Sequence, residues 1–107
     1  MNKEGLKKTS EFRKVFTFGK RRYGRYVIIY ILKEKKEANR AGFIVKKCIG
    51  KAVKRNKVKR RLREIWRQKG ENLITGSDII IIARKGIEVA PFSEIERELV
   101  RLLSSHY

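Results

Sequence analysis

Acid is scarce in this sequence: 11 Asp and Glu face 29 Lys and Arg, a formal net charge of +18 over 107 residues. Such a chain repels itself unless a polyanion neutralises it, and the polyanions on offer are nucleic acid and anionic membrane. Long apolar runs are also missing. None approaches the roughly 20 residues that span a bilayer, and the opening MNKEGLKKTSEF has no apolar h-region of a signal peptide. Cysteine is reduced to Cys48, which excludes a disulfide framework and a zinc quartet. It reads as a small buried or half-buried residue. His106 and Asp78 are the only His and Asp, and no His/Asp/Glu cluster has metal-ligand spacing. The "GSD" around Asp78 reads as turn chemistry. These absences lead us to expect a cytoplasmic protein with no membrane partner and no small-molecule substrate. They also lead us to expect no catalytic residue of its own and no protein-held metal.

What is present suffices for a globular fold. Hydrophobic residues make up 41% of the chain, enough for one modest core, so high charge alone does not signal disorder. At this length the chain is most simply one domain over 1–107 that buries roughly two thirds of its unfolded surface. Residues 1–9 are polar and basic and read as a flexible arm. TSEFRKVFTFG reads as a short helix capped by Thr9 or Ser10, with Phe12, Val15 and Phe16 on one face and Gly19 at its end. KRRYGR (20–25) reads as a basic loop, or as a further strand if 20–32 divides. YVIIYIL (26–32) is a strand, with Val27, Ile29 and Ile31 on one face and Tyr26, Ile28 and Tyr30 on the other. AGFIVKK (41–47) is a second strand, and Gly50 breaks the chain before a basic helix over 51–69. GSDIIIIARK (76–85) is a turn and a third strand. Pro91 precedes a last helix, SEIERELVRLL, with Ser93 and Glu96 as a capping box. The order α-β-β-(β)-α-β-α mixes helices and strands in one short chain, so the class is α+β.

More than half of KAVKRNKVKRRLREIWRQK (51–69) is Lys or Arg, and Glu64 is its only acid. Placed at about 100° per residue, Val58, Leu62, Ile65 and Trp66 form one apolar stripe. Asn56, Arg60, Arg63 and Arg67 recur at i, i+4, i+7 and i+11 on the opposite face. Lys57, Arg61 and Lys54 flank this ridge, and Arg55 and Lys59 lie nearer the buried edge, where their stems can cover apolar surface. An ordinary solvated helix face mixes charge signs to gain i,i+4 pairs; this one does not. Arg binds phosphate bidentately and stacks on bases, and a rigid ridge of it suits a shaped polyanion.

GKAVKRNKVKRRLRE resembles the signature of the bacterial ribonuclease P protein subunits, an Arg-Asn-Arg core followed by Lys-Arg and a further Arg on one helix. LKKTSEFRKVFTFGKRRYGRYVIIYIL resembles that family's Phe-x-x-Val-Phe-x-x-Gly helix and the aromatic-bearing strand after it. GSDIIIIARKG resembles the strand that follows the motif. The likeness covers nearly the whole chain, in order. In one departure, Lys57 stands where the core has its second Arg, which keeps the charge and loses the bidentate fork.

The resemblance implies a single αβ sandwich, similar to a ribosomal protein domain and to domain IV of elongation factor G. It also implies a left-handed βαβ crossover, against the general right-handed rule. It implies that a large RNA carries the active site and its Mg²⁺ ions and removes the 5′ leader of precursor tRNA. Ribonuclease P RNA and precursor tRNA are then the expected partners, and Mg²⁺ with the catalytic RNA the expected cofactors. Arg55, Asn56, Lys57, Lys59, Arg60, Arg63 and Arg67 would face the catalytic RNA. Phe12, Phe16 and Tyr30 would line a leader-binding cleft, although Phe12 and Phe16 at i, i+4 read equally well as core packing. Lys7, Lys8, Arg13, Lys20, Arg21 and Arg22 are further phosphate candidates, each equally at home as solvated surface.

Composition also fits a ribosomal or general RNA-binding protein with no role in cleavage. A DNA-binding protein with its basic helix in a major groove is disfavoured, since no short helix-turn-helix precedes that helix. A self-contained nuclease is disfavoured by the missing acid and base.

Overall fold

The computed structural model describes residues 5–104. Helix α1 (Thr9–Phe18) is followed by strands β1 (Lys20–Tyr23), β2 (Val27–Lys33) and β3 (Arg40–Ile44). Helix α2 (Ala52–Gln68), strand β4 (Ser77–Ala83) and helix α3 (Phe92–Ser104) complete the chain. The four strands form one sheet in the order β1-β2-β4-β3. β2 runs antiparallel to both β1 and β4, whereas β3 is parallel to β4. Parallel neighbours need a crossover, and α2 supplies it.

Strands apolar at both parities are strands covered on both faces. Val27, Ile29 and Ile31 of β2 and Ile79, Ile81 and Ala83 of β4 join Val58, Leu62, Ile65 and Trp66 of α2 and Ile95, Leu99, Leu102 and Leu103 of α3 in the main core. Leu62 and Ile65 are fully buried, a burial that stabilises by about 1.5–3 kcal/mol for each side chain. The other face is thinly covered. There Leu6, Val15 and Ile80 form a small cluster, with Phe12, Tyr30, Leu32, Ile44 and Ile82 only partly buried around it.

The structure decides one alternative that the sequence reading left open and departs from that reading elsewhere. KRRY is the edge strand β1, in register Lys20↔Ile31 to Tyr23↔Ile28; its charged side chains suit a sheet edge that must not recruit another strand. The expected arm is seated over its described part: Gly5 bridges Ala41, Leu6 is buried, and the Leu6 N–H donates to the Ala41 carbonyl. α1 is capped by Glu11 reaching back, rather than by Thr9 or Ser10; its Oε1 accepts the N–H groups of Lys7 and Lys8 at 2.9 and 3.0 Å. α3 starts at Phe92, so Ser93 lies inside its first turn and the Pro91 carbonyl accepts the first helical N–H groups. Cys48 is exposed, in the 3₁₀ turn Lys47–Ile49, and β3 ends at Ile44, short of the expected 47.

Two glycines matter to the site. Gly50 adopts φ +147°, a left-handed value that frees the chain to turn into α2. At Gly42 a Cβ would come within 2.7 Å of the Phe12 ring, so only glycine lets that ring lie against β3.

Candidate nucleic-acid interface

α2 packs its stripe of Val58, Leu62, Ile65 and Trp66 into the core and turns Asn56, Lys57, Arg60, Arg63 and Arg67 to solvent. Arg55 and Lys59 are half-buried, as their place at the stripe's edge requires. The Arg55 Nε donates to the Gly50 carbonyl at 3.0 Å and closes the entry to the helix. The Arg63 guanidinium lies 5.5 Å from the centre of the Phe43 ring, a cation–π contact that restrains its position. Among the described residues, no carboxylate pairs with Asn56, Lys57, Arg60, Arg63 or Arg67. Nor is there an acid in the first turn of α2, although Lys54 and Arg55 there oppose the helix dipole. The sequence builds a helix that is electrostatically uncomfortable alone and relieved by an anion.

The second surface lies across the sheet, under α1. Side chains of directly paired residues share a face, so the register writes this surface as rows. Arg21, Tyr30, Ile80 and Gly42 form one row, and Tyr23, Ile28, Ile82 and Ile44 form the next. α1 lowers Phe12 and Phe16 onto the first row. Phe16 is 39% exposed and meets Tyr30 edge-on, with ring centres 4.8 Å apart and planes at 81°. Phe12, Tyr30, Ile28, Ile82 and Ile44 are all half-buried. A closed core would hide these groups. Here three aromatic rings and a strip of isoleucine remain accessible beside Arg21, the combination that holds single-stranded RNA by stacking and charge. Lys7, Lys8, Arg13, Lys20 and Arg21 are exposed and Arg22 is half-buried.

A chain of charges fixes α1 over this face of the sheet. Asp78, buried in β4, accepts Arg40 Nη2 at 2.9 Å and Nε at 3.1 Å, and also pairs with Lys36. Arg40 Nη1 reaches on to Glu11 Oε2 at 2.8 Å. Asp78 is therefore the centre of an ion network, where its sequence context suggested a turn. Burial pushes its carboxyl up, but hydrogen bonds from Arg40 and Lys36 outweigh that and hold it below the ordinary value. The backbone N–H groups of Lys7 and Lys8, with help from Arg40, lower Glu11 from 4.5 to about 2.

A family model for ribonuclease P matches residues 1–107. The chain belongs to the ribonuclease P protein family. The "Ribonuclease P protein component" of Clostridioides difficile (strain 630) is 42% identical over 101 residues, 94% of this chain and 89% of that protein. That of Natranaerobius thermophilus is 38% identical, covering 91% of this chain and 84% of the other. The Staphylococcus aureus RNase P protein structure superposes with a TM-score of 0.86 at 30% identity, covering 95% of this chain and 94% of that one. The Thermotoga maritima RNase P protein does so with 0.86 at 32%, covering 95% and 96%. The α+β fold and element order expected from the family resemblance are those of these ribonuclease P proteins.

The sequence pattern named the ridge and the family resemblance named Phe12, Phe16 and Tyr30; the structure exposes the ridge on one face of α2, sets Phe16 against Tyr30 and lays Phe12 over Gly42. The sequence reading did not single out Gly42, Tyr23 or the Glu11–Arg40–Asp78 chain. Gly42 had a signal, since a glycine inside a strand often marks close approach. His106 lies outside the described residues.

Proposed function

We propose that this chain is the protein subunit of ribonuclease P, acting as one RNA-binding domain that joins the catalytic RNA to the 5′ leader of precursor tRNA. The observation that carries this reading is the separation of its two surfaces. The Asn-Arg ridge faces outward on the α2 side of the sheet, and the aromatic cleft lies on the α1 side. One protein can thus hold two RNA segments at once. Arg55, Asn56, Lys57, Lys59, Arg60, Arg63 and Arg67 contact the catalytic RNA, and Phe12, Phe16 and Tyr30 stack the leader.

In this reading the RNA performs the cleavage, leaving a 5′-phosphate on the tRNA and a 3′-hydroxyl on the leader. The chemistry Mg²⁺ would supply, held by the RNA, is activation of water and stabilisation of the leaving oxygen. Among the described residues no three His, Cys, Asp or Glu side chains lie together; the reading that the RNA holds the ions rests on the family likeness. The carboxylates of Glu11, Asp78 and Glu88 are all held below their ordinary values, which makes them weak bases. Glu98 is committed to the N–H groups of Arg25, Tyr26 and Val27. The protein's part is to neutralise phosphate repulsion and hold the leader, which lowers the Mg²⁺ needed. No helix among the described residues is long and apolar enough to cross a membrane, and the cytoplasm is where this reading places the protein.

The two surfaces are separable by mutation. Arg60→Ala is expected to weaken binding to ribonuclease P RNA roughly tenfold through loss of a charge-assisted contact. Phe16→Ala is expected to weaken binding of precursor tRNA to the reconstituted holoenzyme roughly tenfold, and to leave mature tRNA unaffected. Unchanged RNA affinity in Arg60→Ala removes the ridge assignment. Equal losses for precursor and mature tRNA in Phe16→Ala remove the cleft assignment.

A further inference from the structure

The edge strand β1 carries two more groups of the kind the cleft uses. Arg21 and Tyr23 are two residues apart and so share a face. Register pairs them with Tyr30 and Ile28, on the α1 side of the sheet. The Arg21 guanidinium carbon lies 4.8 Å from the centre of the Tyr23 ring. Hydrogen bonding to Tyr30, and then the neighbouring Tyr23, push the Arg21 pKa up, so this cation stays charged where it sits. Tyr30 in turn meets Phe16 at 4.8 Å. Phe16, Tyr30, Arg21 and Tyr23 therefore follow one another without a gap, aromatic rings interrupted by one guanidinium. Tyr23 is 57% exposed, more than Phe16, and it heads the row of half-buried Ile28, Ile82 and Ile44 that crosses the sheet.

A lone tyrosine on a sheet edge is ordinary surface. This one is continuous with the aromatic cleft, already stacked against a cation, and set in a protein of charge +18. Its surroundings suit a planar base joined to a phosphate: the ring or the guanidinium plane takes the base, and Arg21 takes the phosphate. We propose that Tyr23 and Arg21 form a further nucleotide subsite on β1, which holds one more base of a single-stranded RNA leader beyond those at Phe16 and Tyr30. The subsite rests on the leader-cleft reading above and adds a definite nucleotide position to it.

The test uses holoenzyme reconstituted from a bacterial ribonuclease P RNA and this protein. Precursor tRNAs carry leaders lengthened one nucleotide at a time, with mature tRNA as the reference. Tyr23→Ala is expected to bind roughly tenfold more weakly, but only to leaders that reach β1. Phe16→Ala sets in at a different leader length, because the two rings hold different nucleotides. Tyr23→Phe keeps the ring and retains the affinity. Tyr23→Leu keeps apolar bulk against Ile28 and shows the same loss as Tyr23→Ala, which separates stacking from support of the strand. Equal loss on mature tRNA, or no loss at any leader length, overturns the subsite. If Phe16→Ala still distinguishes precursor from mature tRNA while Tyr23→Ala does not, the subsite fails and the cleft stands. If neither distinguishes them, both fail.

Discussion

Raising monovalent salt from about 50 to about 200 mM is expected to weaken binding to ribonuclease P RNA by roughly 250- to 1000-fold. Arg55, Lys57, Lys59, Arg60, Arg63 and Arg67 give about six phosphate contacts if the whole α2 face is engaged. Each contact releases condensed counterions, so log K falls against log salt with a slope of roughly −4 to −5. The magnitude follows from what the helix lacks. Among the described residues no carboxylate satisfies Lys57, Arg60, Arg63 or Arg67, so RNA phosphates do not have to displace an internal partner. Arg60→Ala should reduce the slope by roughly one. Filter or fluorescence titration at several salt concentrations measures both quantities. A slope near zero would contradict electrostatic docking through this face.

Asp78→Ala is expected to destabilise the fold by about 2–3 kcal/mol, measured by urea or thermal unfolding. Removing one member of a buried ion pair usually costs about 3–5 kcal/mol. The lower figure applies because Arg40 and Lys36 keep 33% and 27% of their side-chain surface exposed and recover some hydration. Asp78→Asn keeps the shape and part of the hydrogen bonding and should lose less. The consequence reaches function. Arg40 holds Asp78 of β4 and Glu11 of α1 together, so its release loosens the helix that carries Phe12 and Phe16. Precursor affinity should therefore fall along with stability. Acid has a related effect. Glu11 and Asp78 both titrate below their unfolded values of 4.5 and 3.8, so their contribution is fully present above those values. It is lost as pH falls from there toward about 2, where Glu11 itself titrates in the fold. Unchanged unfolding of Asp78→Ala would show that the network holds nothing.

The reach of the sequence reading follows from the range of each interaction. α2 was legible because a 3.6-residue period separates Val58, Leu62, Ile65 and Trp66 from Asn56, Arg60, Arg63 and Arg67 within one helix. β2 and β4 were legible because apolar residues at both parities admit few alternatives. β1 was obscure, since KRRY has no alternation and its strand character comes from pairing with residues 28–31. Asp78 was misjudged from its neighbours because its partners Lys36 and Arg40 lie 42 and 38 positions away. Glu98 poses the same problem: it is buried on α3 and binds the backbone of Arg25–Val27 more than 70 positions upstream. Local pattern identifies a surface helix and a buried strand. It does not reveal which distant charge makes burial of a carboxylate tolerable.

The cleft lies between these cases. Phe12 and Phe16 at i, i+4 suit core packing as well as stacking, and periodicity cannot separate the two. In the fold the two rings differ from the residue between them: Val15 is fully buried, whereas Phe12 is half-buried and Phe16 is 39% exposed. Gly42 beneath Phe12 and Tyr30 beside Phe16 then make the open side of the sheet an aromatic surface.

The central claim is that this protein assists an RNA catalyst. The most direct measurement is removal of the leader from a labelled precursor tRNA at low Mg²⁺, using a bacterial ribonuclease P RNA alone, this protein alone, and the two together. Cleavage at the mature 5′ end only when both are present is the expected result. Tight RNA binding with no stimulation would contradict it and leave a general RNA-binding role, and cleavage by the protein alone would contradict it from the other side.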